Sequence, residues 1–148
     1  MNNQIKPGEI VIALRRKILA AIISSFLFAI VFTIFELIFI TSAGSYGELF
    51  LTLYYLNLMF AITFGVLVSF FSDWLSKEMS KKAYISEIIS FIFHCAGGAP
   101  LNVLGLVSAI LFFIVDRLLR KVKVGWLSVF IAVFIVVLVF IILINMYK

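Results

Sequence analysis

One histidine and one cysteine occur in the 148 residues, side by side as His94-Cys95. Two adjacent ligands cannot supply the three or four donors of a zinc site, so no metal and no cofactor is expected. The carboxylates are scattered, which leaves no acid–base couple. Gly97-Gly98-Ala99-Pro100 lacks the Lys and Ser/Thr spacing of a phosphate-binding loop. No catalytic residue is expected, and the chain reads as a non-enzyme. A single Cys also rules out an intrachain disulfide.

Binding or proton chemistry remains. His94 is an ionisable group in an apolar stretch, which inside a membrane marks a functional hypothesis. Its charge can change near neutral pH. Glu87, Ser90 and His94 share one helix face, and Asn102 follows the Gly-Gly-Ala-Pro break. Counting 1.5 Å per residue, His94 lies about 16 Å beyond Ala83, and Asn57 about 12 Å beyond Leu49, so the two can meet at similar depth. The candidate ligand-binding residues are His94, Asn57, Glu87 and Asn102. A His94–Asn57 hydrogen bond is the expected way to satisfy both groups, because a bare polar group in hydrocarbon is costly. Ser90 or a carbonyl freed at the break are the other partners open to a neutral His94.

These residues sit in an oily chain. Hydrophobic residues make up 65% of it, against about 45–50% in soluble domains. So short a soluble chain has too little core to hide them. The expected architecture is all-α, a polytopic transmembrane helix bundle forming a single domain over residues 1–148, with the lipid bilayer as its partner and no nucleic acid. The apolar runs cover about 18–40, 49–74, 85–116 and 126–145, each long enough to cross a hydrocarbon core that needs about 20 residues. Pro7-Gly8 is expected to break any earlier helix. The first run exceeds a signal-peptide core and reads as a retained anchor.

The third run is too long. As one straight helix it would reach about 48 Å, against a core of about 30 Å. Pro100 removes a backbone donor, and Gly97 and Gly98 weaken the helix beside it. Two arrangements follow. A single kinked span leaves Arg117, Arg120, Lys121 and Lys123 outside. A hairpin of arms Ile85–Ala96 and Leu101–Val115 returns them inside and leaves Lys148 as the only basic residue outside. The positive-inside rule favours the hairpin, with the N-terminus cytoplasmic in both cases. Arm length favours the kinked span, since twelve residues reach only about 18 Å. The kinked span, with the C-terminus inside, is the expectation taken.

Packing has its own pattern. Ala21, Ser25, Ala29 and Thr33 repeat every four residues in the first run; Asn57, Ala61, Gly65 and Ser69 do so in the second, ending at Asp73. Small residues at this spacing let helices approach closely, so the two runs are expected to pack together. Glu36, Asp73, Glu78 and Asp116 read as interfacial groups, with Asp116–Arg120 and Glu78–Lys82 as i,i+4 pairs. Helix–helix action, as an accessory or immunity-type protein in a homo-oligomer or with another membrane protein, is the first functional expectation. A small oligomeric, proton-coupled carrier using midplane polar groups is the second.

The stretches GVLVSFFSDWLSK and IISFIFHCAGG carry a likeness in Gly65, Val66, Ser69, Ser72, Asp73, Ser90, Phe91, His94 and Gly97. Through them the chain resembles an uncharacterised family of short multi-span membrane proteins of low-GC Gram-positive bacteria. The resemblance implies a bacterial plasma membrane and about four spans. It implies no activity, so no catalytic residue carries over.

Overall fold

The computed structural model describes residues 7–39 and 46–146. The N-terminal tail to Lys6, most of the expected outer turn (residues 41–45) and Lys148 lie outside the described residues. Helix α1 spans Pro7–Phe39, α2 Tyr46–Phe60, α3 Val66–Met79, α4 Ala83–Gly98, α5 Asn102–Leu119 and α6 Trp126–Met146. A π-turn, Ala61–Gly65, joins α2 to α3, and a 3-10 turn, Ala99–Leu101, joins α4 to α5. Three helical stretches, Gly8–Phe39, Tyr46–Met79 and Ala83–Leu119, are long and apolar enough to cross a membrane; Trp126–Ile142 is a shorter apolar helix. By length and composition this is a membrane protein, an all-α bundle.

Pro7 and Gly8 stand at the start of α1. Proline at a first turn loses no helical hydrogen bond, because its missing N–H would have had no partner there. Glu9 follows in that turn, where the helix dipole favours a carboxylate.

Helix α1 is the hub, packed against α2, α5 and α6, while α3 packs on α4 and α4 on α5. Ala20, Ala21, Ala61, Val66, Phe112 and Val115 form one apolar core. Ile22, Ala29, Tyr54 and Leu58 form another towards the far end. Helix α6 starts where the Arg15 guanidinium lies 5.5 Å from the Trp126 ring centre. Further along, the Tyr55 hydroxyl donates to the Val136 carbonyl at 3.0 Å.

The π-turn explains how the second stripe stays in register. Residues four apart on an α-helix overshoot a full turn by about 40°. A wider turn at Ala61–Gly65 offsets that drift, and Asn57, Ala61 and Ser69 are all buried. Below it, Ser72 and Ser76 turn their hydroxyls back onto the carbonyls of Ser69 and Asp73. Such back-bonded serines are small and self-satisfied, so α4 comes close. A Cβ on Gly97 would sit 2.6 Å from Val68 Cγ1.

The expected single kinked span is corrected. Helices α4 and α5 fold back on each other: Arg117 Nε lies 2.5 Å from Glu87 Oε2, and the Phe91 and Phe113 rings are 5.1 Å apart. Along one continuous helix, residues 87 and 117 would stand about 45 Å apart. The objection to a hairpin was arm length, and it fails because Gly97 and Gly98 remain helical and α4 begins at Ala83. The arms hold 16 and 18 residues, or about 24 and 27 Å. Glycines also close the top. A Cβ on Gly98 would lie 2.5 Å from the Gly105 carbonyl oxygen and 2.7 Å from Ala109 Cβ.

The reversal is completed at Asn102, whose φ of 55° is the one positive value at a non-glycine among the described residues. Its ψ of −145° places it outside the left-handed helical well, in a region where strain of about 1–3 kcal/mol is typical. Asn102→Gly is therefore expected to raise the thermal midpoint of the purified protein and Asn102→Val to lower it. A Val variant as stable as wild type would count against strain at this turn.

Candidate functional site

Charges from four helices converge at one end of the bundle. Lys17, on α1, is 1% exposed and Asp116, on α5, is 0% exposed; their Nζ and Oδ2 are 3.4 Å apart. Lys17 Nζ also lies 2.8 Å from Asp73 Oδ2 on α3 and donates to the Ser69 hydroxyl. Arg16 Nε donates to Asp116 Oδ1 at 2.7 Å. Arg117 is the bridge. Its guanidinium reaches Asp73 at 2.7 Å, Glu87 at 2.5 Å and Asp116 at 2.9 Å, and donates to Ser90 at 2.7 Å. Ser90 in turn donates to Asp73 Oδ1 at 2.9 Å. Arg120 closes the outer edge on Glu87 and Asp73.

The burial explains the density of contacts. A charge withdrawn from water is tolerated only when paired and hydrogen-bonded. Asp73 uses both oxygens, and Lys17 has three partners. Among the described residues the network sets four cations (Arg16, Lys17, Arg117, Arg120) against three carboxylates (Asp73, Glu87, Asp116). The basic patches on α1 and at the end of α5 thus meet in this network.

Above the network lies a cavity of about 190 Å³ between the second stretch and the α4–α5 hairpin. His94, Asn57 and Phe112 form its inner wall, and small residues such as Gly65, Gly97 and Gly105 leave the room. Its outer lining includes Phe60, Phe64, Leu101 and Leu104, all exposed on the outside of the bundle. The cavity therefore opens sideways, through an apolar mouth.

The candidate residues divide between these places. His94 is 2% exposed, with Phe112 and Phe113 ring centres 5.2 and 6.1 Å away. Its Nδ1 is fully enclosed and has no hydrogen-bond partner. Asn57 lines the same cavity but does not bond His94; its amide donates to Ser25 Oγ at 3.0 Å. The reason is packing: α2 lies directly on α1, whose serine reaches Asn57 first. Ser90, the other side-chain partner considered for His94, is engaged by Asp73 and Arg117. Glu87 belongs to the network. Asn102 is exposed at the turn and is not among the residues lining the cavity. Of the packing stripes, Ala21, Ser25, Ala29, Asn57, Ala61 and Ser69 are buried, while Gly65 and Thr33 are partly buried.

Sequence reading treated Asp73 and Asp116 as interfacial groups, and here it missed the network. Asp116 pairs with Arg16, Lys17 and Arg117, and Arg120 turns instead to Glu87 and Asp73. Glu78 and Lys82 share no helix, because α3 ends at Met79 and Ser80 is extended. One signal was available. Once the positive-inside rule returns Arg117 to the Lys17 end, Asp73 and Asp116 fall at the same level.

Comparison with protein-family models, with curated proteins and with solved structures gave no match.

Proposed function

We propose that this chain is a multi-pass protein of a bacterial plasma membrane, with its N-terminus and basic patches in the cytoplasm, and that it works as a small carrier whose site is the cavity against the hairpin. One observation carries the reading: the chain reverses inside an apolar bundle and leaves a largely apolar cavity with His94 and Asn57 on its inner wall. Irregular backbone at membrane depth is tolerated where protein covers it or where it lines a cavity, and broken helices mark the midplane sites of carriers. The positive-inside rule supports the orientation, and with it a C-terminus on the outer side. The bacterial setting rests on the family resemblance.

Two measurements test this. In a Cys95→Ser background, Val122→Cys is exposed beyond the end of α5. It is expected to react with a membrane-impermeant maleimide only after cell lysis; labelling of intact cells overturns the orientation. Liposomes holding the protein and an internal pH dye are expected to report proton movement on addition of a transported solute, from a panel of small polar and bilayer-soluble compounds. His94→Ala should abolish that response. Silence of the wild-type protein towards the whole panel overturns the carrier reading.

A second reading, an accessory or immunity-type protein acting through helix contacts, draws on α6. Among its described side chains only Val129 is buried, so the helix offers an open apolar face. The small-residue stripes no longer argue for an outside partner, because they are filled within the chain.

A further inference from the structure

We infer that the lateral cavity binds an uncharged amphipathic molecule dissolved in the bilayer, with an apolar body and one hydroxyl that hydrogen-bonds His94. The inference names a substrate class for the carrier site and rests on that reading.

Four observations lead to it. The lining contains no charged side chain; its polar members are Asn57, His94 and Ser108. A carboxylate or ammonium group would find no counter-charge there, and an unpaired charge in such a place is prohibitive. The His94 imidazole lines the cavity; its Nδ1 is sealed off without a partner, so a ligand meets the other edge of the ring, at Nε2, while the neighbouring buried Asn57 and Ser90 are already hydrogen-bonded. A buried polar atom left unsatisfied costs stability unless something completes it.

A hydroxyl is the fitting complement, because it both donates and accepts and so serves either neutral tautomer of the imidazole. A lone water is a poorer occupant. It needs two or more polar partners and would leave most of a space lined by Phe, Leu, Val, Ala and Gly unfilled.

The size and the mouth complete the argument. An apolar cavity of about 150 Å³ takes one benzene ring, so about 190 Å³ admits a ring or a short run of chain, not a whole phospholipid. The apolar mouth at Phe60, Phe64, Leu101 and Leu104 lets the rest of a longer chain run out into the hydrocarbon. Access is from the membrane, not from water.

The test uses the full chain in lipid nanodiscs and an octanol that carries a diazirine. After irradiation, adducts are mapped by mass spectrometry, with octanol or octane as competitor. The expected adducts fall on the peptides holding Asn57, His94 and Phe112, and octanol competes roughly tenfold better than octane, about the value of one hydrogen bond. Gly65→Phe should remove the labelling by filling the space. Gly65→Ala should keep it, since a Cβ there meets Phe112 at an ordinary 3.6 Å.

His94→Phe preserves a ring against Phe112 and should make the two competitors equal. Adducts spread evenly over lipid-facing helices overturn the site. An octanol preference that survives His94→Phe overturns the hydroxyl contact with His94. The carrier reading fails separately: cavity labelling without any flux leaves a binding site that does not transport, and His94-dependent flux without cavity labelling leaves a carrier for another class of solute.

Discussion

Asp116→Ala is expected to destabilise the protein by about 3–5 kcal/mol, the usual cost of stripping one partner from a buried ion pair. The carboxylate is fully buried and takes hydrogen bonds from Arg16, Lys17 and Arg117. Its removal leaves four cations facing two carboxylates, with the Lys17 ammonium still buried. Lys17→Met is expected to cost less. Three cations then face three carboxylates, and Asp116 keeps both arginines. The double variant should fall short of the sum of the singles by about 0.5–3 kcal/mol, the range seen for groups in one network. SDS-titrated unfolding of the purified protein would measure all three. An Asp116→Ala variant that unfolds with wild type would mean that the network adds nothing to the fold.

Gly98→Ala is expected to open the hairpin. Its new methyl group would meet a backbone carbonyl and the Cβ of Ala109, neither of which can swing away as a long side chain can. Overpacking of this kind costs about 1–3 kcal/mol, and rigid neighbours put it at the upper end. A cross-link reads the effect directly. In the Cys95→Ser background, Phe91→Cys and Phe113→Cys occupy positions whose rings lie 5.1 Å apart and should be joined by a short bis-maleimide. Adding Gly98→Ala should suppress the cross-link, whereas adding Gly65→Ala should not. Equal cross-linking in both would show that the close approach is dispensable.

What the sequence reveals and what it hides divide along physical lines. Apolar runs, their ends and the break at Gly97–Pro100 are local properties, and hydropathy, proline and glycine report them directly. The π-turn at Ala61–Gly65 leaves no such mark, because no residue type is reserved for it; only the fourfold spacing of Asn57, Ala61, Gly65 and Ser69 hints at it. The network is a property of pairing. Asp73 and Arg117 stand 44 residues apart, and each looks like an ordinary charge at the end of its own helix. Their meeting depends on the direction of α5, which one wrong choice at the break reverses. His94 shows the opposite case. Its unusual place was visible from composition, but its lack of a partner required knowing that Ser25 takes Asn57.

The burial of Lys17 also bears on how the protein is made. Its partners arrive late: Asp73 lies 56 residues on and Asp116 lies 99. At about 5–20 residues per second, the ribosome needs roughly 5–20 s after Lys17 before Asp116 exists. Through that interval α1 carries an ammonium group with no carboxylate to hold it in the membrane. A lysine without a partner keeps its ammonium in water or among headgroups, so the enclosure of Lys17 requires α3 and then the returning hairpin. Maturation of the first helix is thus completed by the fifth.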